Sequence, residues 1–497
     1  MVVVQGSKIT LPNPCTTLSS ILFEPTSLSL ALTHSDSSLS LYPSLSLLSL
    51  SSLPSPQTLI PSPSSSSTFL LLQTAPHNNN HCNSKSAPRV LFLVSAPHRA
   101  GSQILLRFYL LNHKTNAFFR PRVICSQKDL RFEHQLGVLV NSKHGVSIKL
   151  SGSVNYFAMY SVSAAKVWVF AAKLDCSDDG DAVKLMRCAV IECSRPVWSV
   201  TLSFGFLLLG EENGVRVFSL RRIAKGRVKK GKNVYSKPTN GGDLVKRGGR
   251  RISSGGGEGL VDLACNGDLE GRIEKHGVAV KQTNVKLKHD DRDGGAYFVA
   301  LKQNDVETKS MTRAAMPVKA ISIQALSQRM FLILDSDGDV HLLSLSNSGI
   351  GVDITGRVRQ LPHVMKVQNL AVLPDISTIS QTVWISDGSH SVHMFSAVDM
   401  ENALNEIDGN DEDEKQIHLP VVRVLFCSEK VQDVTSVASN SVMILGQVIL
   451  LSFPVEINVP GSLDVLMCFM ECSGCLTRCC ILKILELLKD RQDHGTD

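Results

Sequence analysis

The densest group of potential metal ligands lies near the C terminus, where five cysteines follow the pattern C-x3-C-x2-C-x3-C-C: Cys468, Cys472, Cys475, Cys479 and Cys480. Thiolates at such spacing can bind zinc, although four zinc ligands usually come as two close pairs separated by a longer loop. Leu463 to Lys489 also shows apolar residues at helical spacing, which favours packing of the cysteines on an amphipathic helix. We therefore predict no metal site.

Two other groups resemble metal ligands less closely. Asp335, Asp337 and Asp339 alternate as in a calcium loop, but the Glu that closes such a loop about twelve positions from its start is missing, so a hairpin turn explains them better. His390 and His393 are three residues apart around a predicted strand, so their side chains point to opposite faces and share no metal easily.

Catalytic patterns are also incomplete. Gly226 to Lys232 approaches a phosphate loop, but Asn233 stands where a hydroxyl residue binds the metal. A dinucleotide site requires a buried strand before its glycine-rich turn, and no such strand precedes the glycines at 255–259. We predict that the protein is not an enzyme and uses no cofactor.

The most distinctive charged segment is basic. Residues 221–251 contain twelve Lys or Arg and one acid, whereas the whole chain has a net charge of +6. The segment is either a nuclear import signal or phosphate-contacting arm, or a solvated linker. Tyr235 is its one aromatic residue, so binding would be electrostatic and weakly sequence-selective. The candidate contacts are Lys225, Arg227, Lys229, Lys230, Lys232, Lys246, Arg247, Arg250 and Arg251.

The secondary structure must position the candidate residues above, and the sequence predicts that it consists of repeated β-hairpins. In each, an apolar residue is followed seven positions later by the first apolar residue of an alternating strand, and the turn between them is rich in Asp, Gly, Asn and Ser. This is the pattern of antiparallel hairpins. The pairs are Leu32 with Leu39, Leu208 with Val215, Ile333 with Val340, and Ile385 with Val392.

The spacing of the strands favours a propeller. Outgoing strands that begin at Leu39, Leu106, Val167, Val215, Val340 and Val392, with a last unit from Leu419 to Leu445, give seven units. Most intervals approach the length of a blade, which is roughly 40 to 50 residues. The strand at Met1 to Thr10 is expected to pair with the last blade and close the ring. A β-sandwich or two smaller β domains are the alternatives.

Two turns resemble those of the WD40-like propeller group. Ser336-Asp337-Gly338 and Ser386-Asp387-Gly388 are each followed by a short strand of the form V-x-[LM]-[LF]. This resemblance is one of shape, and it implies a ring of four-stranded blades. We read residues 182–220 as the best-defined single blade, with four consecutive strands.

The predicted fold is thus all-β, a seven-bladed or nearly seven-bladed propeller with a long basic insertion and a C-terminal helical tail. Blades 1 to 4 are expected in 1–220, the insertion, largely disordered in its first half, in 221–316, blades 5 to 7 with an acidic loop at 399–415 in 317–453, and the Cys-rich tail in 454–497. After Leu445 the final blade lacks one outward strand, so we expect either an appended tail or a truncated blade.

The composition bears on location. Thirteen cysteines, an odd number without regular spacing, favour a reducing compartment, and no run is long and apolar enough for a membrane helix. Nucleus or cytoplasm is therefore expected. A chloroplast or other organelle is the alternative, because residues 16–72 are Ser- and Leu-rich without Arg, which loosely resembles a transit segment.

We predict a non-enzymatic scaffold for protein–protein interaction, because loops of every blade converge on one rigid face of a propeller. The first alternative is a nuclear chromatin- or RNA-associated factor that binds phosphates through the basic insertion. The second is a propeller hydrolase with acids in its channel. The sequence names neither the protein partner nor the oligomeric state.

Overall fold

The computed structural model describes residues 7–10, 17–45, 52–73, 88–125, 127, 130–133, 136–142, 146–177, 180–225, 285–288, 296–301, 317–347, 354–361, 365–373, 382–405, 419–438, 441–446, 450–454 and 464–465. Strands dominate this part of the chain. Two short helices, Leu220–Lys225 and Ala397–Asn405, occur within it.

Seven sheets follow one another along the chain and form seven four-stranded antiparallel blades. In chain order from blade 1 to blade 7, the first strands are Leu18–Glu24, Ser66–Leu72, Ile148–Gly152, Ser199–Ser203, Ala320–Ala325, Asn369–Val372 and Asp433–Ala438. The second strands are Ser29–His34, Arg89–His98, Tyr156–Ser161, Phe206–Glu211, Met330–Asp335, Thr382–Ser386 and Ser441–Leu445. The third strands are Leu39–Tyr42, Gln103–Asn112, Lys166–Ser177, Gly214–Ser219, Val340–Asn347, Ser391–Ser396 and Leu450–Pro454. The outer strands are Thr58–Ile60, Gly137–Asn141, Gly180–Glu192, Ala296–Ala300, Ile354–Gln360, Val421–Phe426 and Ser7–Ile9.

Short strands extend three of these sheets. Ala117–Phe119 pairs with the third strand of blade 2, and Leu130–Glu133 pairs with its outer strand. The outer strand of blade 3 pairs in parallel with both Arg122–Cys125 and Val285–Lys288. Asp464–Val465 pairs in parallel with the outer strand of blade 6.

The blades form a closed ring. From blade 2 around the ring to blade 1, the first strands of successive blades contact each other, including those of blades 7 and 1. Seven hydrophobic cores fill the spaces between neighbouring blades, and the core between blades 1 and 2 completes the circuit. This architecture confirms the predicted all-β seven-bladed propeller, and at the level of shape it confirms the resemblance to the WD40-like group.

The same geometry explains why the second strands are continuously apolar. Successive side chains of a strand point to opposite faces of its sheet. Leu207 and Leu209 pack in the core shared with blade 3, whereas Leu208 packs in the core shared with blade 5, and all three are fully buried. Each blade therefore needs apolar residues on both faces.

The N-terminal strand closes the ring. Ser7–Ile9 pairs antiparallel with residues 450–452, so blade 7 has four strands, and Ile9 is 1% exposed within the core that joins blades 7 and 1. The predicted pairing of the first residues with the last blade is confirmed. The alternative of a truncated final blade is wrong, because Ser7–Ile9 supplies its fourth strand.

Hydrogen bonds from side chains to the backbone join successive first strands. Ser66 Oγ and Thr68 Oγ1 of blade 2 accept the backbone N–H groups of Leu150 (3.0 Å) and Gly152 (2.9 Å) in blade 3. A first strand is the edge of its sheet, so these backbone groups have no strand partner within their own blade. The hydroxyl groups satisfy them instead.

The same arrangement recurs farther around the ring. Ser151 Oγ accepts the N–H of Leu202 at 2.9 Å, which joins blades 3 and 4. Thr201 Oγ1 donates to the carbonyl of Ile323 at 2.8 Å, which joins blades 4 and 5. Asp433 Oδ2 accepts the N–H of Ile21 at 2.9 Å, which joins blades 7 and 1.

Several boundaries differ from the sequence expectations. Residues 182–220 are not one blade, because Gly180–Glu192 is the outer strand of blade 3 and pairs with Lys166–Ser177 rather than with its successor. Ala296–Ala300, inside the interval 221–316 expected as an insertion, is the outer strand of blade 4. When the partner of an outer strand lies far along the chain, the neighbouring residues do not show to which blade that strand belongs.

The acidic loop and the C-terminal helix expected from the sequence also differ from the structure in their described residues. The expected acidic loop at 399–415 begins within the helix Ala397–Asn405, which buries Ala397 and Met400 in the core between blades 5 and 6. The helix predicted at Leu463 to Lys489 is replaced at Asp464–Val465 by a strand. Other residues of both segments lie outside the described part of the chain.

Replacing Ile9 with alanine should lower the free energy of unfolding by about 2 to 5 kcal/mol, because it leaves a cavity in the core that closes the ring. Urea denaturation followed by circular dichroism measures the change. Leu59→Ala is the matched control, because Leu59 is 65% exposed on the outer strand of blade 1. Equal effects of the two substitutions would contradict closure through Ile9.

Candidate functional site

The two faces of the ring carry different connections. The hairpins between second and third strands lie on one face, together with the links from each blade to the next; we call this the hairpin face. Antiparallel pairing places the connections between third and outer strands on the opposite face. The chain leaves that opposite face after Ser219 in blade 4 and after Ser396 in blade 6, toward the basic and acidic segments.

Of the nine predicted contact residues, the structure describes one. Lys225 is the last residue of the helix Leu220–Lys225, whose Leu220 and Ile223 are buried between blades 3 and 4. The other eight lie outside the described residues: Arg227, Lys229, Lys230, Lys232, Lys246, Arg247, Arg250 and Arg251. Farther along, Val285–Lys288 pairs with residues 189–192 of blade 3. The basic segment is thus flanked on both sides by elements that contact blade 3.

Two of the described cysteines, Cys188 and Cys193, are not activated nucleophiles. Burial raises the pKa of Cys188 to about 11, and burial together with the carboxylate of Glu211 raises the pKa of Cys193 to about 12. Their thiols therefore stay protonated at neutral pH, and a protonated thiol is a poor nucleophile and metal ligand. The five C-terminal cysteines lie outside the described residues.

The two histidines considered as metal ligands each lie within hydrogen-bonding distance of another group of the same blade. His390 Nδ1 lies 3.3 Å from the carbonyl of Cys427, and His393 Nε2 lies 3.3 Å from Ser391 Oγ. Burial lowers the pKa of His393. Within the described part of the chain, no three His, Cys, Asp or Glu residues are grouped to hold a metal ion.

The aspartates of blade 5 build a hairpin turn, as interpreted from the sequence. Asp335 Oδ1 accepts the N–H groups of Asp337 (2.9 Å) and Asp339 (2.8 Å), and Asp335 Oδ2 lies 2.8 Å from His341 Nε2. Burial alone would raise the pKa of Asp335, but the hydrogen bonds from His341 and the backbone lower it. Asp335 and His341 are both fully buried, so the pair is part of the blade interior.

In two other blades, a polar pair also joins the last residue of the second strand to a residue near the start of the third strand. In blade 4, Arg216 Nε donates to Glu211 Oε1 at 2.7 Å, and its guanidinium lies 5.2 Å from the ring centroid of Phe298. In blade 1, His34 Nε2 lies 2.8 Å from Ser40 Oγ. Sequence reasoning missed these pairs, although each places its second member five or six residues after the first across the hairpin.

A cationic and aromatic cluster lies at the hairpin-face end of the channel. Lys149 is the second residue of the first strand of blade 3, Trp198 directly precedes the first strand of blade 4, and Lys319 directly precedes that of blade 5. Lys149 Nζ donates to the Trp198 carbonyl, and Lys319 Nζ lies 4.3 Å from the centroid of the Trp198 ring. We call these three residues the Trp198 cluster.

The backbone of the cluster is fixed by hydrogen bonds, and its two lysines form no ion pair with a described acid. The N–H of Trp198 donates to the carbonyl of Gly210 at 2.7 Å, and the N–H of Lys319 donates to Ser336 Oγ at 3.1 Å. Burial lowers the pKa of Lys149. No described acid forms an ion pair with Lys149 or Lys319, and Trp198 Nε1 is buried without a described acceptor. Sequence reasoning missed this group, because its members are far apart along the chain.

The first strands carry two described acids, and both bind backbone. Glu24 accepts the N–H groups of Thr26 (2.9 Å) and Ser27 (2.7 Å) in the turn that follows its strand. Asp433 accepts the N–H groups of Ile21 and Val434, both at 2.9 Å. Burial raises the pKa of Asp433 to about 6. These contacts give both carboxyl groups a structural role.

No protein-family model and no curated protein matches the sequence. Among solved structures, the Cps50 (Swd1) β-propeller domain of Myceliophteria thermophila is 8% identical, with a TM-score of 0.42 over 88% of this chain and 96% of that one. The WD40 repeats of RRP9 are 7% identical, with a TM-score of 0.40 over 89% of this chain and 95% of that one. Sqt1 of Chaetomium thermophilum is 11% identical, with a TM-score of 0.41 over 89% of this chain and 83% of that one. The propeller assignment rests on the seven blades and their ring of cores.

Neither described helix has the length and apolar character needed to span a membrane.

Asp433→Asn should change how stability depends on pH. The folded-state pKa of about 6 lies above the ordinary value of 3.8, so Asp433 destabilises the fold increasingly as the pH rises from about 4 through 6. The stability of the variant relative to the natural protein should therefore rise by about 3 kcal/mol between pH 4 and pH 8. Urea unfolding across this range measures the change.

Asp36→Asn is the control for this measurement. Asp36 is exposed in the blade 1 hairpin, and its hydrogen bonds with Ser38 lower its pKa, so its titration falls below pH 4. Its relative stability should stay level between pH 4 and pH 8. A level response for Asp433→Asn as well would show that the Asp433 carboxyl is not destabilised by burial.

Proposed function

We propose that this protein is a non-enzymatic β-propeller scaffold that binds an acidic segment of a partner protein at the Trp198 cluster. The observation that carries the proposal is the convergence of Lys149, Trp198 and Lys319 from three successive blades at one end of the channel. Tryptophan is among the residues that most often dominate protein interfaces, especially where it is partly buried in a well-packed setting.

Charge identifies the partner chemistry. One ammonium group lies over the Trp198 ring and a second binds the Trp198 carbonyl, and neither is ion-paired with a described acid, so the cluster should attract carboxylates. Lys149 is partly desolvated, so an acid that reaches it would interact more strongly than at an open surface. Rigid first strands hold the cluster, which limits the entropy cost of binding.

Lys319→Glu should weaken binding of the acidic partner segment, because it reverses the charge next to Trp198. Proximity labelling in cells, with the full chain fused to a labelling enzyme, measures the proteins recovered. Recovery of the direct partners should fall about tenfold, as expected for the loss of one close charge pair. The melting temperature of the purified variant reports whether the fold is retained.

Lys114→Glu is the matched control, because it makes the same charge change in an exposed turn after the third strand of blade 2, on the opposite face. Its labelled proteins should match those of the natural sequence. If Lys319→Glu proves unstable, Lys319→Ala tests the same contact with a smaller change. Unchanged labelling by a folded Lys319 variant would refute binding at the Trp198 cluster.

A second proposed function concerns the basic segment. In it, the protein is a nuclear factor that contacts chromatin or RNA phosphates through the nine predicted residues from Lys225 to Arg251. What favours it is the concentration of positive charge in 221–251, in a segment flanked by Leu220–Lys225 and Val285–Lys288, which both contact blade 3.

Replacing these nine Lys and Arg residues with Gln should weaken nucleic-acid binding and flatten its salt dependence, because each phosphate contact releases counterions. Fluorescence anisotropy with one RNA and one DNA duplex at several salt concentrations measures both effects. The same variant fused to a fluorescent protein should lose nuclear accumulation. Lys114→Gln is the control, and binding that is equally strong and equally salt-dependent in the nine-residue variant would exclude this function.

A further inference from the structure

Ser336 lies in the hairpin turn of blade 5, on the same face as the Trp198 cluster. Its backbone is paired with that of Lys319. The N–H of Ser336 donates to the Lys319 carbonyl at 2.8 Å, and the N–H of Lys319 donates to Ser336 Oγ at 3.1 Å. Ser336 is nevertheless exposed to solvent. An accessible serine therefore lies directly beside one lysine of the cluster.

The turn fixes the position of Ser336. The N–H of Asp335 donates to the carbonyl of Asp339 at 3.0 Å, and the buried carboxylate of Asp335 accepts two further N–H groups of the turn. Gly338 has a φ of +83°, a conformation that glycine adopts without strain. A group attached to Ser336 Oγ would therefore stay close to Lys319.

The residues after Ser336 form an acidic pattern. Asp337, one position on, is exposed, and Asp339, three positions on, is half-buried. Protein kinases select their substrates partly by charge pattern, and acids at these positions suit a kinase with a basic substrate groove. Ser386 in the corresponding turn of blade 6 differs, because it is fully buried and is followed three positions on by Ser389.

We propose that Ser336 is a phosphorylation site, and that its phosphate blocks binding of acidic segments at the Trp198 cluster. The blocking effect rests on the proposed function, whereas the modification does not. An acid-directed protein kinase supplies the reaction with ATP. Ser336 Oγ forms a bond to the γ-phosphorus while the bond from that phosphorus to the ADP oxygen breaks, and the hydroxyl proton passes to the catalytic base of the kinase.

The phosphate acts through charge. Phosphoserine carries a charge of about −1.5 to −2 at neutral pH and has three strong acceptor oxygens, so it competes with a partner carboxylate for the Lys319 ammonium. Two acids already lie on this side of the cluster: Asp337 follows Ser336, and Glu212 pairs with Lys319 in a β-bridge. The added phosphate makes this side negative, which repels an acidic segment.

Phosphorylation of the full chain by a casein kinase that recognises acids after serine tests the site, with mass spectrometry of proteolytic peptides as the readout. Phosphate should be found on Ser336 and not on Ser386. The double variant Asp337→Asn with Asp339→Asn should lower the rate at Ser336 at least about tenfold, because it removes the charges that the kinase binds.

Asp387→Asn is the matched control, because it makes the same change in the blade 6 turn, and its rate should equal that of the natural sequence. If the melting temperature shows that the double variant is unfolded, the exposed substitution Asp337→Asn alone should still lower the rate. No phosphate on Ser336 of the natural protein, or equal rates in the Asp337 and Asp387 variants, would overturn the site.

Phosphorus NMR tests the pairing of the phosphate with Lys319 without any partner. An ammonium group favours the doubly charged phosphate, so Lys319→Ala should raise the second pKa of phosphoserine at position 336. Lys114→Ala is the control on the opposite face and should leave that pKa unchanged. Equal pKa values in the phosphorylated natural protein and the Lys319→Ala variant would overturn the pairing.

Fluorescence anisotropy with a labelled hexaglutamate peptide tests the blocking effect. Phosphorylated protein should bind the peptide at least about tenfold more weakly than unmodified protein. Ser336→Ala protein treated with the same kinase should bind as the unmodified protein does. Equal binding by both forms of the natural sequence would overturn the blocking effect. Phosphate on Ser336 without peptide binding by either form would instead refute the proposed function and confirm the modification site.

Discussion

The structure depends on how the unpaired edges of first strands are satisfied where neighbouring blades meet. Hydroxyl groups of blade 2 accept backbone N–H groups of blade 3, Ser151 continues the series into blade 4, and Thr201 continues it into blade 5. Where the ring closes, Asp433 takes this role. A carboxyl group there has a raised pKa, whereas a hydroxyl group stays neutral, so the closing contact is the pH-sensitive member of the series.

Once the first strands are joined, hydrophobic burial between blades stabilises the rest. Each space between neighbouring blades has its own core, so every blade must be apolar on both faces, and no blade buries its side chains alone. The core between blades 7 and 1 joins the two ends of the described chain through Ile9. Polar groups within the blades are paired at hairpin ends, as in Glu211 with Arg216 and Asp335 with His341.

The candidate site lies where neighbouring blades bring basic residues together. Lys149 is the second residue of the first strand of blade 3, and Trp198 and Lys319 directly precede the first strands of blades 4 and 5. The basic and acidic segments follow the third strands of blades 4 and 6 along the chain, and these strands end on the face opposite the Trp198 cluster. The proposed protein site and the proposed phosphate contacts therefore belong to different parts of the chain.

The sequence by itself determined the all-β class, the hairpins, the approximate number of blades and the pairing of the first strand with the last blade. These features follow from alternation, turn residues and spacing, which are local properties. Only the tertiary structure decided that Gly180–Glu192 belongs to blade 3, that Ala296–Ala300 completes blade 4, and that Lys149, Trp198 and Lys319 meet. Outer strands and site residues pair with partners far along the chain, and the energy of such contacts comes from burial and geometry that no short stretch of residues encodes.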